Sequence, residues 1–257
     1  MSGFLSRVLQ AKAAEIAFKK GERPLAELRR EADRQPVRDF AAAIAAGGSI
    51  IAEIKRKSPS RDAFRQQGSP EELATVYAVA GAAAISVVTD KAHFGTSLSD
   101  VSRIRQVVDL PVLAKDFFID EYQLTEARAA GSDAVLLIVR ILSDDDLATL
   151  LSCASELGAA ALVECHDEIE VKRAVEAGAG IIGINNRNLD SLEVSADACM
   201  RLAGEIPEGI IRVAESGIDR REVIEELTRA GMDAFLIGGA LLDSADPGLK
   251  LKELLGD

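Results

Sequence analysis

From residue 50 onward the chain alternates short apolar runs with amphipathic stretches. Helical stretches close on small residues and a glycine, and an apolar run follows: Ala80-Gly81 before 82–88, Ala130-Gly131 before 133–139, Leu157-Gly158 before 159–163, Ala177-Gly178 before 181–185 and Ala230-Gly231 before 233–237. Glycine provides the left-handed position that ends a helix, and each run after it reads as a short buried strand. Runs 50–55, 111–115 and 210–214 complete eight predicted strands. Helices are predicted over 70–80, 121–130, 144–157, 168–177 and 220–230, with Ser69-Pro70 and Ser143-Asp144 as caps and first-turn residues. Eight such units in roughly 200 residues predict an α/β fold, a single closed (β/α)8 TIM barrel. The competitor is an open doubly wound sheet. It would place a glycine-rich GxGxxG turn after a strand and gather its chemistry at one switch point, and neither is found.

Ahead of the first strand, residues 2–20 carry Leu5, Val8, Leu9 and Ile16 at helical spacing, and helices continue over 24–34 and 39–46. This N-terminal extension packs either as a plug under the barrel or as a lid. The first strand poses the functional question. Its side chains alternate, so Ile51, Glu53 and Lys55 share one face while Ile50, Ala52 and Ile54 form a wholly apolar one. The charged face looks either at bulk water or into an enclosed site.

Composition narrows the classes. A chain of 257 residues, nearly half apolar, buries a full core. A net charge of -12 argues against nucleic acid or an anionic membrane as main partner, though not against a small phosphorylated ligand. Cys153, Cys165 and Cys199 show no metal-ligand spacing and read as reduced core thiols of a cytoplasmic protein. No uninterrupted apolar run is long enough for a membrane span, and no signal-peptide pattern opens the sequence.

Active sites of such barrels lie at the C-terminal strand ends, and here those ends are polar. In order they carry Glu53 and Lys55, Thr89-Asp90, Lys115-Asp116, Glu164, Asn185-Asn186-Arg187, Glu215-Ser216-Gly217 and Gly238-Gly239. A lone buried charge would cost several kcal/mol, so one mouth in which Glu53, Lys55, Lys115 and Glu164 compensate one another is the economical arrangement. Such groups suit general acid–base chemistry; for a lone lysine, a rim salt bridge would be the better reading. Ser216-Gly217 and Gly238-Gly239, the latter before a short helix, suit phosphate, with tight turns as the plainer reading. Phe94 and Phe117 could together hold an aromatic ring. His93 and His166 have no evident partner and read as surface residues. Asp144-Asp145-Asp146 reads as compensation of a helix dipole.

At this point the residues resemble the indole-3-glycerol phosphate synthase family of tryptophan biosynthesis. The resemblance runs through Leu5, Lys12 and Glu15-Ile16, the stretch Ile51-Ala-Glu-Ile-Lys-Arg-Lys-Ser-Pro-Ser60, Ile85–Asp90 with Phe94, Pro111–Phe117, Leu162–Glu164, Gly183–Leu189, Ala214–Ile218 and Ile237–Leu241. It implies a carbon–carbon lyase without cofactor or metal. The reaction closes 1-(2-carboxyphenylamino)-1-deoxyribulose 5-phosphate to indole-3-glycerol phosphate with loss of CO₂ and water. By the family's roles Lys115 is the general acid, Glu164 the base or stabiliser of a cation, and Lys55 the partner of the substrate carboxylate. Glu53 and Asn185 orient them, with Glu215 beside. Ser58, Ser216, Gly217, Gly238 and Gly239 match phosphate and nearby positions, Phe94 and Phe117 the aromatic pocket, and Arg187 a mouth residue. Residues 1–48 match the extension that partly covers the mouth. Association with other tryptophan-pathway enzymes is left open.

Two departures stand out. Arg61-Asp62-Ala63 follow Ser-Pro-Ser where the family soon reaches glycine, and Phe94-Gly95-Thr96-Ser97 replaces Phe-x-Gly-Ser. Both bear on loop closure more than on the chemistry. Two other functions compete: a Schiff-base aldolase built on an inner lysine, and a non-catalytic sugar-phosphate sensor.

Overall fold

In the computed structural model, residues 3–58, 63–65, 68–187 and 197–257 are described. Pro59-Ser60, Arg61-Asp62 and Asn188-Leu189 of the motifs lie outside them. Three helices lead in: α1 (Gly3–Glu22), α2 (Leu25–Ala32) and α3 (Phe40–Ile44). Then follow β1 (Ser49–Ile54), α4 (Pro70–Val79), β2 (Ala84–Val88), α5 (Lys91–Phe94), α6 (Leu98–Ile104), β3 (Val112–Lys115) and α7 (Glu121–Ala129). The second half comprises β4 (Ala134–Ile138), α8 (Asp144–Glu156), β5 (Ala160–Cys165), α9 (Glu168–Glu176), β6 (Ile181–Asn185) and α10 (Asp197–Leu202). It ends with β7 (Ile211–Glu215), α11 (Arg221–Arg229), β8 (Ala234–Ile237), α12 (Gly239–Asp243) and α13 (Pro247–Leu255). The strands pair in parallel with their sequence neighbours, and β8 closes on β1. The sheet is the predicted closed barrel.

Alternation along β1 resolves as the sequence posed it. Ile50, Ala52 and Ile54 join the apolar layer between the strands and the outer helices. Ile51 instead packs inside the barrel with Ala84, Leu113, Leu136, Leu162, Val213 and Leu236. Glu53 therefore points inward as well, and the charged face looks into the barrel rather than at bulk water.

The predicted fourth strand begins one residue early, because Asp133 has a different task. Its carboxylate accepts from Val112 N at 2.9 Å and Arg38 N at 2.8 Å and pairs with Arg105, tying the extension to the bottom of the barrel. Predicted helix starts hold where caps were present. Ser69 and Glu72 form a capping box on α4, and the Ser143 side chain accepts from Asp146 N under the three aspartates of α8.

The extension divides its contacts between the two ends. Phe40 and Ile44 of α3 plug the barrel bottom against Ile51, Ala84, Leu113 and Ala134, each burial worth about 2–3 kcal/mol. Ile16 and Leu28 pack on Tyr122 of α7, whose hydroxyl donates to Lys19 O at 3.0 Å. Earlier on α1, Lys12 is buried at the other end of the barrel, 2.8 Å from Asp116 and 3.4 Å from Asp90.

Candidate active site

Four ionisable side chains, Glu53, Lys115, Glu164 and Glu215, come from β1, β3, β5 and β7. Alternate strands contribute to one interior layer in such a barrel, so these four share a level just above the apolar filling. Their contacts bear this out. Lys115 Nζ lies 3.2 Å from Glu164 Oε2 and 3.5 Å from Glu215 Oε2, and Lys55 donates to Glu53.

Burial and pairing set the charges. Burial alone would push Lys115 toward the neutral amine, but Glu164, Glu215 and Glu53 around it outweigh that and raise its pKa. Burial likewise opposes ionisation of Glu53 and Glu164. Lys55 and Lys115 overcome it for Glu53, and Lys115 and His166 for Glu164, leaving both pKa values below the usual carboxylate range. Glu215 is the surplus carboxyl. Burial, with Glu164 and Glu53 nearby, pushes it up to about 8 against the pull of Lys115. Both its oxygens are buried without a hydrogen-bond donor, and Lys115 Nζ stands 3.5 Å from Oε2. At neutral pH the layer holds two ammoniums, two carboxylates and one carboxylic acid, which balances without water.

Two glycines make room for these carboxylates. A Cβ on Gly183 of β6 would run into Glu215 Oε1 and sit 3.2 Å from Leu162 Cδ1; one on Gly238 would sit 2.5 Å from Glu53 Oε1.

Loops above the layer are pinned by polar contacts. Asn186 Nδ2 donates to Ser216 O at 3.1 Å, and its Oδ1 accepts from Cys199 N at 3.1 Å. Ser216 is held at φ 68°, the one left-handed non-glycine among the described residues, and Gly217 follows at φ 76°. Asn185 Oδ1 accepts from Arg187 N at 2.9 Å. Phe94 O takes the N–H groups of Arg56 (2.9 Å) and Lys57 (3.1 Å), fastening the segment after β1 to α5. Gly95 then ends α5 at φ 80°, where a Cβ would lie 2.8 Å from Arg56 Cβ, and Thr96 donates to Val88 O. The Gly95-Thr96 departure is thus built into a fixed turn. Ala63 is exposed, while Arg61 and Asp62 lie outside the described residues.

A cavity of ≈ 440 Å³ opens over the layer, within the range of small-molecule sites. The residues given site positions by the family resemblance line it: Glu53, Lys55, Ser58, Phe94, Lys115, Phe117, Glu164, Asn185, Arg187, Glu215, Ser216, Gly217, Gly238 and Gly239; Thr89, Asp90 and Asn186 of the polar strand ends do not. Leu5 of α1, named in the motif of the extension, lines it too, while sequence reasoning missed Phe64, Asp219 and Asp243. Phe64 sits 5.7 Å below Lys55 Nζ, a cation–π contact no strand pattern encodes.

The histidines need correcting. His93 is partly exposed but pairs with Asp90 at 3.0 Å. His166 is not a surface residue: its side chain is 4% exposed, 3.0 Å from Glu170 and 3.4 Å from Glu164. The sequence did hold the signal. Asp167 caps α9, and Glu170 three residues later turns back past the cap to accept from His166 N at 2.8 Å.

A closed (β/α)8 barrel whose interior ends in a balanced acid–base layer beneath one cavity is the framework of an enzyme acting on a small molecule. Comparison with known proteins makes the class specific. Residues 5–254 match the family described as indole-3-glycerol phosphate synthase. An indole-3-glycerol phosphate synthase of Parafrankia sp. (strain EAN1pec) is 46% identical over 245 residues, covering 95% of this chain and 91% of that one. Another, from Polaromonas naphthalenivorans (strain CJ2), is 42% identical over 263 residues and the whole of both chains. Among solved structures, a 3-hexulose-6-phosphate synthase superposes with TM-score 0.67 at 19% identity, over 81% of this chain and 98% of that one, a likeness of fold. The chain belongs to the indole-3-glycerol phosphate synthase family, carbon–carbon lyases of tryptophan biosynthesis that act on a phosphorylated small molecule. Among the described residues no helix is long and apolar enough to cross a membrane.

Proposed function

We propose that the interior charged layer carries out the ring closure of 1-(2-carboxyphenylamino)-1-deoxyribulose 5-phosphate with the following division of labour. Lys115 donates its proton to the ketone oxygen as the ring carbon attacks. An alkoxide is more basic than any amine, so even a lysine whose proton is held by three carboxyls gives it up there. The neighbouring Glu215 carboxylic acid, 3.5 Å away, can replace that proton. Glu164, a carboxylate, faces the cation formed on attack, then takes the ring-side proton during dehydration. Lys55 pairs with the substrate carboxylate until CO₂ leaves and then protonates the departing hydroxyl. Glu53 and Asn185 hold the lysines and the substrate hydroxyls in place. The aromatic ring lies between Phe94 and Phe117. The phosphate sits on the backbone of Ser216-Gly217 and Gly238-Gly239, with Ser58 and Arg187 at the rim, and α1 serves as the lid through Leu5.

The observation that carries this reading is Lys115 set among Glu53, Glu164 and Glu215 on the cavity floor. The same contacts weigh against a Schiff-base aldolase, which needs a lysine poised to lose its proton before substrate carbonyl attack. We further propose that the protein works in the cytoplasm, where its three buried free thiols stay reduced, and that it is open to association with other enzymes of the pathway.

The test is indole fluorescence on mixing the purified protein with the substrate. Wild type is expected to generate it, and Lys115→Met to lower kcat at least about 10³-fold while inorganic phosphate still binds. Full turnover by Lys115→Met, or a borohydride-trapped lysine adduct in the wild type, would remove Lys115 from the proposed role.

A further inference from the structure

One buried titratable side chain plays no part in that division of labour. His166 follows β5 by one residue and does not line the cavity. Its ring lies between two carboxyls. Nδ1 is 3.0 Å from Glu170 Oε2, and Nε2, buried and without a hydrogen-bond partner, faces Glu164 Oε1 at 3.4 Å. Glu170 is itself fixed. Arg140 Nε donates to its Oε1 at 2.7 Å, His166 N donates to its Oε2 at 2.8 Å, and the Asp167 side chain caps its backbone N–H. Arg140 also reaches Asp167 at 3.3 Å. On the far side, Glu164 meets Lys115 and Glu215 and feels Glu53 beyond them. A continuous file thus runs Arg140, Glu170, His166, Glu164, Lys115 from the outer helices to the cavity floor.

With a carboxyl oxygen at each ring nitrogen, the imidazole satisfies both as donor only when doubly protonated; the neutral ring leaves one nitrogen as acceptor and calls for a proton on the facing carboxyl. Nδ1 has the shorter contact and a partner locked by Arg140, so the exchangeable position is the one between Nε2 and Glu164. This is the arrangement by which a carboxylate–histidine pair orients a reacting group it supports.

We propose that His166 is a positioning residue for this reaction: anchored through Nδ1 by Glu170, it holds Glu164 in place and keeps it the carboxylate that the cation and the departing ring-side proton require. This rests on the role given to Glu164 above. During dehydration the C–H bond breaks toward Glu164, its electron pair forms the ring double bond as the C–O bond breaks, and Lys55 supplies the proton that completes water. His166 moves no atom of the substrate; it sets whether Glu164 is free to receive.

His166→Gln and Glu170→Gln test this through pH profiles of kcat, followed by indole fluorescence. His166→Gln keeps a polar group near Glu164 but removes the ring that lowers the Glu164 pKa, so Glu164 retains its own proton to higher pH. The acid limb of kcat is expected to move up by about one pH unit, a roughly tenfold loss on that limb, while KM changes less than about twofold. Glu170→Gln changes no volume and is expected to move the limb the same way by a smaller amount, which covers the case in which His166→Gln folds poorly. Profiles of both variants superimposing on wild type, or a loss equal at every pH and accompanied by a lower Tm, would overturn the proposal. Absence of product from wild type would instead refute the functional reading, so the two failures are distinct.

Discussion

Replacing Glu215 with Gln should make the protein more stable at alkaline pH. The side chain is 1% exposed, its oxygens have no hydrogen-bond donor, and it feels Glu164 and Glu53 nearby. Its ordinary pKa is 4.5, and burial beside two other carboxyls pushes it up to about 8. Between those values the native protein holds a proton that the unfolded chain has already lost. A group raised in this way contributes stability that is fully present below 4.5 and is gone once the pH passes about 8. At about 1.4 kcal/mol for each pH unit, up to about 5 kcal/mol is lost across the window. Glutamine has the shape of the protonated carboxyl and can still donate to Glu164, but it has no proton to lose. The stability gap between Glu215→Gln and wild type should therefore widen in favour of the variant from pH 5 to pH 8 and level off above. In a chain of this length each kcal/mol is about 2–4 °C in Tm, so the gap should open by about 3–6 °C per pH unit. Denaturant titrations at fixed temperature across the same pH range measure it directly. Stability curves of the two proteins running parallel from pH 5 to pH 9 would refute a proton held by Glu215 in the native protein.

Three further outcomes follow from the contacts. Gly183→Ala forces a methyl into Glu215 and Leu162; it should cost about 1–3 kcal/mol in urea denaturation and lower kcat, whereas unchanged values would mean that Glu215 has room to swing away. Lys12→Met leaves Asp90 and Asp116 facing each other without their buried cation and should cost about 3–5 kcal/mol, with α1 becoming the first segment cut by protease; uncut α1 would show that Ile16 and Leu28 suffice to hold it. Asn186→Ala removes the donor to Ser216 O and the acceptor for Cys199 N, and KM for the phosphorylated substrate should rise about tenfold more than kcat falls; an effect confined to kcat would place the loop's role elsewhere.

Much of the barrel was legible because five of the eight β-strands announce themselves twice, by an apolar run and by the glycine that stops the helix before it. The inward face was legible because β1 carries its charges at every second residue, and Glu53 and Lys55 had to share a side. What escaped was contact made across the chain. Lys12 meets Asp116, more than a hundred residues away, and Phe64 lies under Lys55, with no local pattern to betray either. His166 was misread for a different reason. Its partners are close in sequence, but Glu164 is pointed inward by the strand and Glu170 is turned back by the helix cap, so only folding puts the ring between them. The glycines at 183 and 238 were visible as residues, yet their purpose, room for Glu215 and Glu53, depends on which side chain the neighbouring strand sends inward.

Where the substrate's three ends meet the layer decides which group serves as the acid. A crystal structure with the non-cyclising alcohol made by reducing the substrate ketone fixes all three at once. The phosphate should lie against Ser216-Gly217 and Gly238-Gly239, the aromatic carboxylate on Lys55, and the new hydroxyl within about 3.2 Å of Lys115 Nζ. A ligand bound with its hydroxyl away from Lys115, or with its carboxylate on Lys115 and its phosphate at Lys55, would contradict the assignment of the acid and with it the mechanism.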